Sequence, residues 1–165
     1  MCGAELKDRT QEAWRVLAQL PDPEVPVISL VELGIVRDVR SDDDGLDVVL
    51  TPTYSGCPAT ELIAASVVEA LEAAGLGPVR VTTRRAPAWT TDWISDEGRR
   101  KLRDYGIAPP GRCGEQVVRF VPKALNCPRC ESGNTERLSA FGSTACKALY
   151  RCLACGEPFE HFKPI

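Results

Sequence analysis

Four of the eight cysteines come in two pairs that have the spacing of a metal site. One pair lies in CPRC and the other in CLAC, and 21 residues separate them. A gap of two residues inside each pair lets both sulfurs of a tight turn face the same ion, and tetrahedral Zn²⁺ takes four such thiolates. We therefore predict a structural zinc site with the ligands Cys127, Cys130, Cys152 and Cys155. Iron remains the alternative, because four thiolates also bind it.

A fifth cysteine, Cys57, lies in the segment PTYSGCPAT at residues 52–60. A β-branched apolar run precedes this segment and an Ala- and Leu-rich run with helical spacing follows it, while Pro58 suits a first helical turn. We expect Cys57 to be the helix N-cap, where free N–H groups and the helix dipole favour the thiolate that attacks electrophiles and binds metals. The alternative is a buried cysteine packed as a small hydrophobic residue.

Hydrophobic spacing predicts a small layered unit around Cys57. A turn that contains three aspartates separates the first two strands, and Gly34 and Gly75 suit the ends of a helical turn and a helix. The predicted helices are 5–19 and 61–74, the helical turn is 29–33, and the predicted strands are 35–40, 46–50 and 78–83. We therefore expect an α/β fold, built as a small mixed sheet with helices and one buried face.

The last third of the chain is expected to form a separate four-cysteine zinc ribbon. A short basic helix near 97–105 and a Pro- and Gly-rich stretch at 109–114 precede it, and strands are predicted at 136–141 and 148–151. This module has few apolar residues, so it would need a metal to fold. At 165 residues the chain can hold a domain of ordinary size plus such a module, and we expect domains at 1–112 and 113–165.

The charge distribution argues against nucleic acid as a partner. Residues 1–112 carry 13 Lys and Arg against 18 Asp and Glu, and residues 113–165 carry 7 against 5. Neither part has the dense basic surface that binding a phosphate backbone requires. A zinc-ribbon module for nucleic acid is therefore disfavoured.

The expected compartment is the cytoplasm. No apolar run approaches the roughly 18 residues that cross a bilayer, and the first residues lack the apolar stretch of a signal peptide. We therefore expect no membrane association. Disulfides are rare in the cytoplasm, so the cysteines point to metal binding or reactive thiols.

Three further cysteines have no assigned chemistry. We expect Cys2 to be an exposed thiol without function, Cys113 to be structural within a Gly-bounded turn, and Cys146 to be a packed residue rather than a fifth ligand. Their spacing from the CxxC pairs gives none of them a defined role.

Two tryptophans and the single histidine complete the set of candidates. Trp89 and Trp93 are expected to cover the core, with a docking surface as the alternative. A Ser–His or Cys–His hydrolase would have to use His161, and its position near the C-terminus argues against that role. No phosphate-binding loop or dinucleotide fingerprint occurs.

Several of these segments together resemble known families. DPEVPVISLVELGIV at 22–36 and PTYSGCPA at 52–59 resemble the DPE-[IV]-P and G-C-P signatures of the metal–sulfur cluster assembly domain, found in SufT-like proteins and in cytosolic iron–sulfur targeting factors. PAWTTDWIS, KLRDYGIAPP and the ribbon from CPRC to PF resemble the PaaD (PaaJ) family of the multicomponent phenylacetyl-CoA epoxidase system. The resemblance covers nearly the whole chain.

The resemblance implies a role in maturing the metal centres of an oxygenase, either a di-iron site or an iron–sulfur cluster. It carries the reactive cysteine of the G-C-P motif to Cys57 and the acidic pair of the DPE motif to Asp22 and Glu24. For these two carboxylates a turn role is the simpler interpretation, with metal binding or a hydrogen bond to the Cys57 loop as alternatives. A di-iron site needs Glu-x-x-His pairs, and one histidine cannot supply two of them.

The main hypothesis is therefore a non-catalytic assembly factor for the metal centres of a phenylacetyl-CoA epoxidase in aerobic phenylacetate degradation. Cys57 would transiently hold iron or an iron–sulfur cluster, and the ribbon would recognise other components of the oxygenase. The rival hypothesis is a stoichiometric structural subunit without metal-transfer chemistry. The sequence leaves open which metal centre is served and whether the chain forms a homodimer.

Overall fold

The computed structural model describes residues 2–54, 56–111 and 125–165, with the side chains of residues 2–7 left out. The chain divides into two compact units, Met1–Trp89 and Thr90–Ile165. The boundary expected between residues 112 and 113 lies outside the described residues and stays a prediction. Residues 90–111 belong to the second unit.

The first unit has the predicted order of helix, strand, strand, helix and strand. The elements are α1 (Cys2–Gln19), β1 (Val36–Asp42), β2 (Gly45–Leu50), α2 (Thr60–Ala73) and β3 (Val79–Thr83). Strands β1 and β2 are antiparallel and β3 lies parallel to β2, so the sheet order is β1-β2-β3. Helix α2 is the crossover that this parallel pair requires.

The core of the first unit lies between the sheet and its two helices. Helix α1 contacts β1 and α2, and α2 contacts β3. The buried residues of α2 recur every four positions, which puts them on one helix face. The buried apolar residues of these elements include Ala13, Leu17, Leu46, Val48, Leu50, Ile63, Val67 and Leu71. One buried sheet face is therefore confirmed.

Two local features join the elements of the first unit. Gly45 begins β2 with φ of 139°, and a side chain there would collide with the carbonyl of Pro78. Ser29 and Glu32 form a reciprocal capping box, because each side chain accepts a hydrogen bond from the other's backbone N–H. This box opens the predicted turn at 29–33, which Gly34 closes at φ of 76°.

The second unit combines a short helical segment with a four-stranded sheet. The elements are α3 (Asp96–Asp104), β4 (Ile107–Ala108), β5 (Thr135–Ser139), β6 (Lys147–Cys152) and β7 (Pro158–Phe162). The sheet order is β4-β7-β6-β5, with the β4–β7 pair parallel and the other pairs antiparallel. The predicted basic helix, as α3, and the two predicted ribbon strands, as β5 and β6, are confirmed within two residues at each end, whereas β4 and β7 were not predicted.

The two tryptophans differ in burial. Trp89 is buried, and its indole Nε1 donates a hydrogen bond of 3.1 Å to the carbonyl of Leu33. This confirms the core interpretation for Trp89. Trp93 ends a short 3₁₀ turn, Thr91–Trp93, and is half-buried.

Within the described ranges, no helix has both the length and the apolar character needed to cross a membrane.

Candidate metal centre and thiol loop

The two CxxC pairs converge on one point of the second unit. The four Sγ atoms of Cys127, Cys130, Cys152 and Cys155 all lie within 4.8 Å of one another. Sγ of Cys127 is 3.8 Å from that of Cys155, and Sγ of Cys130 is 3.5 Å from that of Cys152. Four sulfurs at about 2.3 Å from a tetrahedral zinc ion would be about 3.8 Å apart. The four thiols therefore fit a tetrahedral metal ion.

The two turns that carry the cysteines share one backbone pattern. In each turn, if the first cysteine is residue i, the backbone N–H of residue i+4 donates to the carbonyl of residue i. The backbone N–H of residue i donates in turn to the carbonyl of residue i+5. These four hydrogen bonds, each 2.9 Å long, are Glu131–Cys127, Cys127–Ser132, Gly156–Cys152 and Cys152–Glu157. The two turns are therefore equivalent knuckles that present their sulfurs in the same way.

The two knuckles differ at their fifth position. Glu131 in the first knuckle and Gly156 in the second both have positive φ, at 61° and 80°. The left-handed conformation costs a residue with a Cβ roughly 1–2 kcal/mol, whereas glycine adopts it freely. The first knuckle therefore stores strain that the second avoids.

The metal centre packs against a small buried cluster. Cys127 and Cys152 are buried, whereas Cys130 and Cys155 are exposed. Ala108 and Phe159 complete the buried cluster, and Leu125 and Tyr150 pack against it. This cluster alone supplies little folding free energy, and a bound metal ion would add to it.

Two of the four thiols have pKa values shifted in opposite directions. Backbone N–H groups of Cys155 and Ala154 lower the pKa of Cys152 to about 7. The backbone N–H of Ser132 lowers the pKa of Cys130, but the neighbouring thiols outweigh it and raise that pKa to about 12. A divalent cation between the four sulfurs would favour their thiolate forms, which is the chemistry of a metal site.

Cys57 does not occupy the predicted N-cap. Helix α2 begins at Thr60, and Ala59 is at its N-cap without a side-chain hydrogen bond. The N–H and Oγ1 of Thr60 donate to the carbonyl of Cys57 at 3.3 and 2.9 Å, and the N–H of Cys57 donates to the carbonyl of Tyr54 at 3.2 Å. Pro58 thus lies in a turn before the helix, and this turn places Cys57 two residues before the N-cap residue, Ala59. The N-cap prediction is wrong, although Cys57 remains partly exposed in a hydrogen-bonded loop.

Asp22 organises its own loop. Its side chain is buried, and Oδ1 accepts hydrogen bonds from the N–H groups of Glu24 at 2.9 Å and Val25 at 2.8 Å. The N–H of Asp22 donates to the carbonyl of Ile28 at 2.9 Å. These bonds support the turn role for Asp22. Glu24 contributes its N–H to the turn, and its side chain is half-buried.

The proposed ligands of the first unit are not assembled into a metal site of their own. In the part of the chain that the structure describes, the ribbon cysteines form the one group of three or more metal-binding side chains. Cys57, Asp22 and Glu24 therefore do not form a three-ligand group. Iron or a cluster at Cys57 would need further ligands from beyond these described side chains.

The remaining candidates have structural surroundings. Cys146 is buried, with Sγ 3.0 Å from Oγ1 of Thr144, which confirms the packed interpretation. Nδ1 of His161 donates to the carbonyl of Ala108 at 3.1 Å, and burial lowers the pKa of this histidine. Cys113 and the side chain of Cys2 lie outside the described residues.

Sequence reasoning missed one buried ion pair in the ribbon. Nζ of Lys147 lies 2.9 Å from Oε2 of Glu160, and the lysine side chain is almost fully buried. The two residues lie on different strands, so only knowledge of the β6–β7 register would have brought them together. The capping box of Ser29 and Glu32, by contrast, has a sequence signal, S-x-x-E.

A small α/β unit followed by a four-cysteine cluster defines a class of metal-binding proteins with two compact units. Residues 10–83 match the family model of the iron–sulfur cluster assembly protein, and residues 113–163 match that of the PaaD zinc beta ribbon domain. The chain is 48% identical over 157 residues to an Escherichia coli (strain K12) protein whose name describes a putative subunit of 1,2-phenylacetyl-CoA epoxidase, with 95% of this chain and 94% of that protein covered. The chain belongs to the PaaD family.

Two further comparisons cover part of the chain. The Fe–S protein maturation auxiliary factor YitW of Bacillus subtilis (strain 168) is 41% identical over 83 residues, which cover 48% of this chain and 78% of that protein. The crystal structure of a domain of unknown function, DUF59, from Bacillus anthracis has a TM-score of 0.56 at 23% identity and covers 61% of this chain and 96% of that one. The structural likeness shows the fold alone. The named relatives support a role in metal-centre assembly or as an epoxidase subunit.

Proposed function

We propose that this chain is an accessory assembly factor for the metal centres, di-iron or iron–sulfur, of a multicomponent phenylacetyl-CoA epoxidase in aerobic phenylacetate degradation. It has no catalytic activity of its own in this proposal. Its partners are the other components of the oxygenase, and its compartment is the cytoplasm. The free thiols of the described cysteines suit that reducing environment.

The observation that carries the proposal is the placement of Cys57. Cys57 is partly exposed, while the backbone on both sides is held by hydrogen bonds to Tyr54 and Thr60. A partly exposed thiol on an ordered backbone can accept a metal and release it again. Because the unit offers no complete ligand group around Cys57 among the described residues, binding there would be weak and shared with a donor or a client. Weak, shared binding suits transfer better than storage.

The ribbon has a different task in this proposal. Cys127, Cys130, Cys152 and Cys155 would hold one Zn²⁺, which supplies folding free energy and has no open coordination position. The buried pair of Cys127 and Cys152 anchors the ion to the small core. Elemental analysis of purified protein should give about one zinc per chain. Protein that is free of metal yet folded over residues 125–165 would contradict this assignment.

The test of the assembly role is the metal content of the oxygenase. Oxygenase produced without this chain should lack iron, and ferrous iron supplied afterwards should restore both iron content and activity. An oxygenase that carries full iron without this chain would overturn the proposal.

A structural subunit is the second candidate, favoured by the name of the Escherichia coli relative. In that case oxygenase made without the chain would contain its iron but stay inactive. Activity would then return only when stoichiometric amounts of the chain are added.

A further inference from the structure

The loop between β5 and β6 presents the most exposed of the large apolar side chains in the described part of the chain. This tip loop comprises residues 140–144, and Phe141 within it is 64% exposed. Single exposed apolar residues are common on protein surfaces and carry no inference alone. Phe141 differs from such residues because several hydrogen bonds hold the loop that carries it.

Glu160 fastens the tip loop to the sheet. Its Oε1 accepts a hydrogen bond of 2.5 Å from the N–H of Ser143, and its Oε2 pairs with Nζ of Lys147 at 2.9 Å. Burial raises the pKa of Glu160, but the N–H of Ser143 and the ammonium of Lys147 outweigh burial and lower it. The carboxylate is therefore charged at neutral pH and ties the loop to both β6 and β7.

Gly142 has no side chain, which lets the backbone of the tip loop approach the Glu160 carboxylate closely. A Cβ at Gly142 would lie 2.5 Å from Oε1 of Glu160, so a larger residue would separate the loop from this carboxylate. The N–H of Gly142 also donates to the carbonyl of Lys147 at 2.8 Å. The backbone next to Phe141 thus has one well-defined conformation.

A lysine completes the surroundings of the phenyl ring. Nζ of Lys163 lies 4.6 Å from the ring centroid of Phe141 and donates to the carbonyl of Ala140 at 3.2 Å. The N–H of Phe141 donates to Oγ of Ser139 at 3.1 Å. The ring is therefore held at its base and on one face, while most of its surface remains in water.

Fold stability does not explain this arrangement. A buried ion pair such as Lys147–Glu160 often contributes little net stability, because removing both charges from water is costly. The metal site already supplies folding free energy to the ribbon. A buried pair can instead specify one conformation, here that of the tip loop. A rigid aromatic side chain loses little freedom on binding, which is the property of interface anchors.

The charges around the tip loop define the partner. Lys163 has no carboxylate partner among the described residues, and the same holds for the exposed Arg137 on the strand that leads into the loop. We propose that Phe141 anchors the ribbon to a component of the oxygenase that offers a phenyl-sized apolar pocket with carboxylates at its rim. This inference rests on the proposed function, because it takes the oxygenase as the partner.

The test measures the affinity of the full-length protein for purified oxygenase components. Phe141→Ala should raise the dissociation constant roughly 10- to 100-fold, in the range of an aromatic anchor. Lys163→Glu should raise it as well, since it reverses the charge that faces the pocket rim. Tyr105→Ala is the matched control, because Tyr105 is also a large exposed aromatic residue of the second unit and lies outside the knuckles and the tip loop. It should leave the dissociation constant within about twofold.

A second pair of variants tests the rigidity of the loop. Gly142→Ala keeps Phe141 but pushes the loop away from Glu160, and should weaken binding while the zinc content stays at one per chain. Gly111→Ala is the control, because a Cβ there meets no atom within 4 Å. Zinc content and circular dichroism confirm that each variant is folded.

The outcomes separate the two proposals. Phe141→Ala that binds as tightly as the unaltered protein would overturn the anchor, as would an unaltered protein that binds no oxygenase component. If Phe141→Ala instead converts a dimer to a monomer in sedimentation and leaves component binding unchanged, the pocket belongs to a second copy of this chain and the proposal is wrong. Full iron in oxygenase made without this chain would remove the assembly role but leave the anchor standing.

Discussion

The two cysteine sites of this molecule differ in how many sulfurs they bring together. The ribbon gathers four sulfurs within 4.8 Å and buries two of them, so a bound ion would be held on all sides. The loop of the first unit presents Cys57 alone, partly exposed and without a ligand group around it in the described residues. A closed site favours permanent binding and folding, whereas an open one favours exchange. The contrast predicts that substitutions at the two sites will separate stability from function.

Breaking the closed site should have the largest effect on stability. Cys127→Ser removes a buried thiolate and forfeits much of a metal-binding free energy on the order of 10 kcal/mol, so the second unit should unfold. Zinc content and limited proteolysis of residues 125–165 measure this loss, and binding to the oxygenase should disappear with it. Cys146→Ser is the matched control, because Cys146 is a buried ribbon cysteine outside the cluster. Retention of zinc by Cys127→Ser would show that the site does not depend on four thiolates.

The Asp22 loop tests how the first unit is ordered. Asp22→Ala leaves the N–H groups of Glu24 and Val25 without their acceptor and should cost about 1–3 kcal/mol in unfolding free energy. Asp22→Asn keeps an acceptor oxygen but removes the charge, so it should cost less and still support iron loading of the oxygenase. If Asp22→Asn unfolds normally in denaturant but abolishes iron loading, the carboxylate binds metal and the turn role is incomplete.

The two knuckles offer an internal comparison. Glu131→Gly should stabilise the ribbon because it relieves a left-handed conformation, and Gly156→Ala should destabilise it because it introduces one, each by about 1 kcal/mol. Thermal denaturation of the zinc-loaded protein measures both changes. Shifts of equal sign for the two variants would show that φ does not control knuckle stability.

The smallest effect on stability is expected at Cys57. Cys57→Ser should change the unfolding free energy by less than about 0.5 kcal/mol, because the thiol is partly exposed and the loop is held by backbone groups. The same variant should bind the oxygenase normally and yet fail to support iron loading, since a hydroxyl is a poor soft ligand. A fully iron-loaded oxygenase obtained with Cys57→Ser would favour the structural-subunit alternative.

The features that were predictable from sequence are those with local signals. The two CxxC pairs specify their own knuckles, and the apolar spacing of α1 and α2 marks helices whatever lies elsewhere in the chain. Cys57 shows where local rules fail. Cys57 and Pro58 have the signature of a helix start, but the hydrogen bonds of Thr60 to the Cys57 carbonyl form a separate turn first. The residue at which α2 begins depends on a few backbone hydrogen bonds, and sequence patterns do not show which of two neighbouring start positions those bonds favour.

Long-range pairings could not be predicted. Strand β4 has two residues and exists because it pairs with β7, about fifty positions later. The ion pair of Lys147 and Glu160 likewise depends on the register between β6 and β7. Two-residue strands and single cross-strand pairs have no periodicity from which to recognise them.

The β4–β7 pairing also determines how the ribbon can be isolated. The match to the ribbon family begins at residue 113, but the compact unit that contains the ribbon begins at Thr90. A fragment cut at 113 would lose β4, expose the backbone edge of β7 and leave His161 without the carbonyl of Ala108. Bare strand edges recruit other chains, so that fragment should aggregate, whereas one that starts at residue 90 keeps its edge covered. The ribbon family match and the compact unit therefore begin at different residues of this chain.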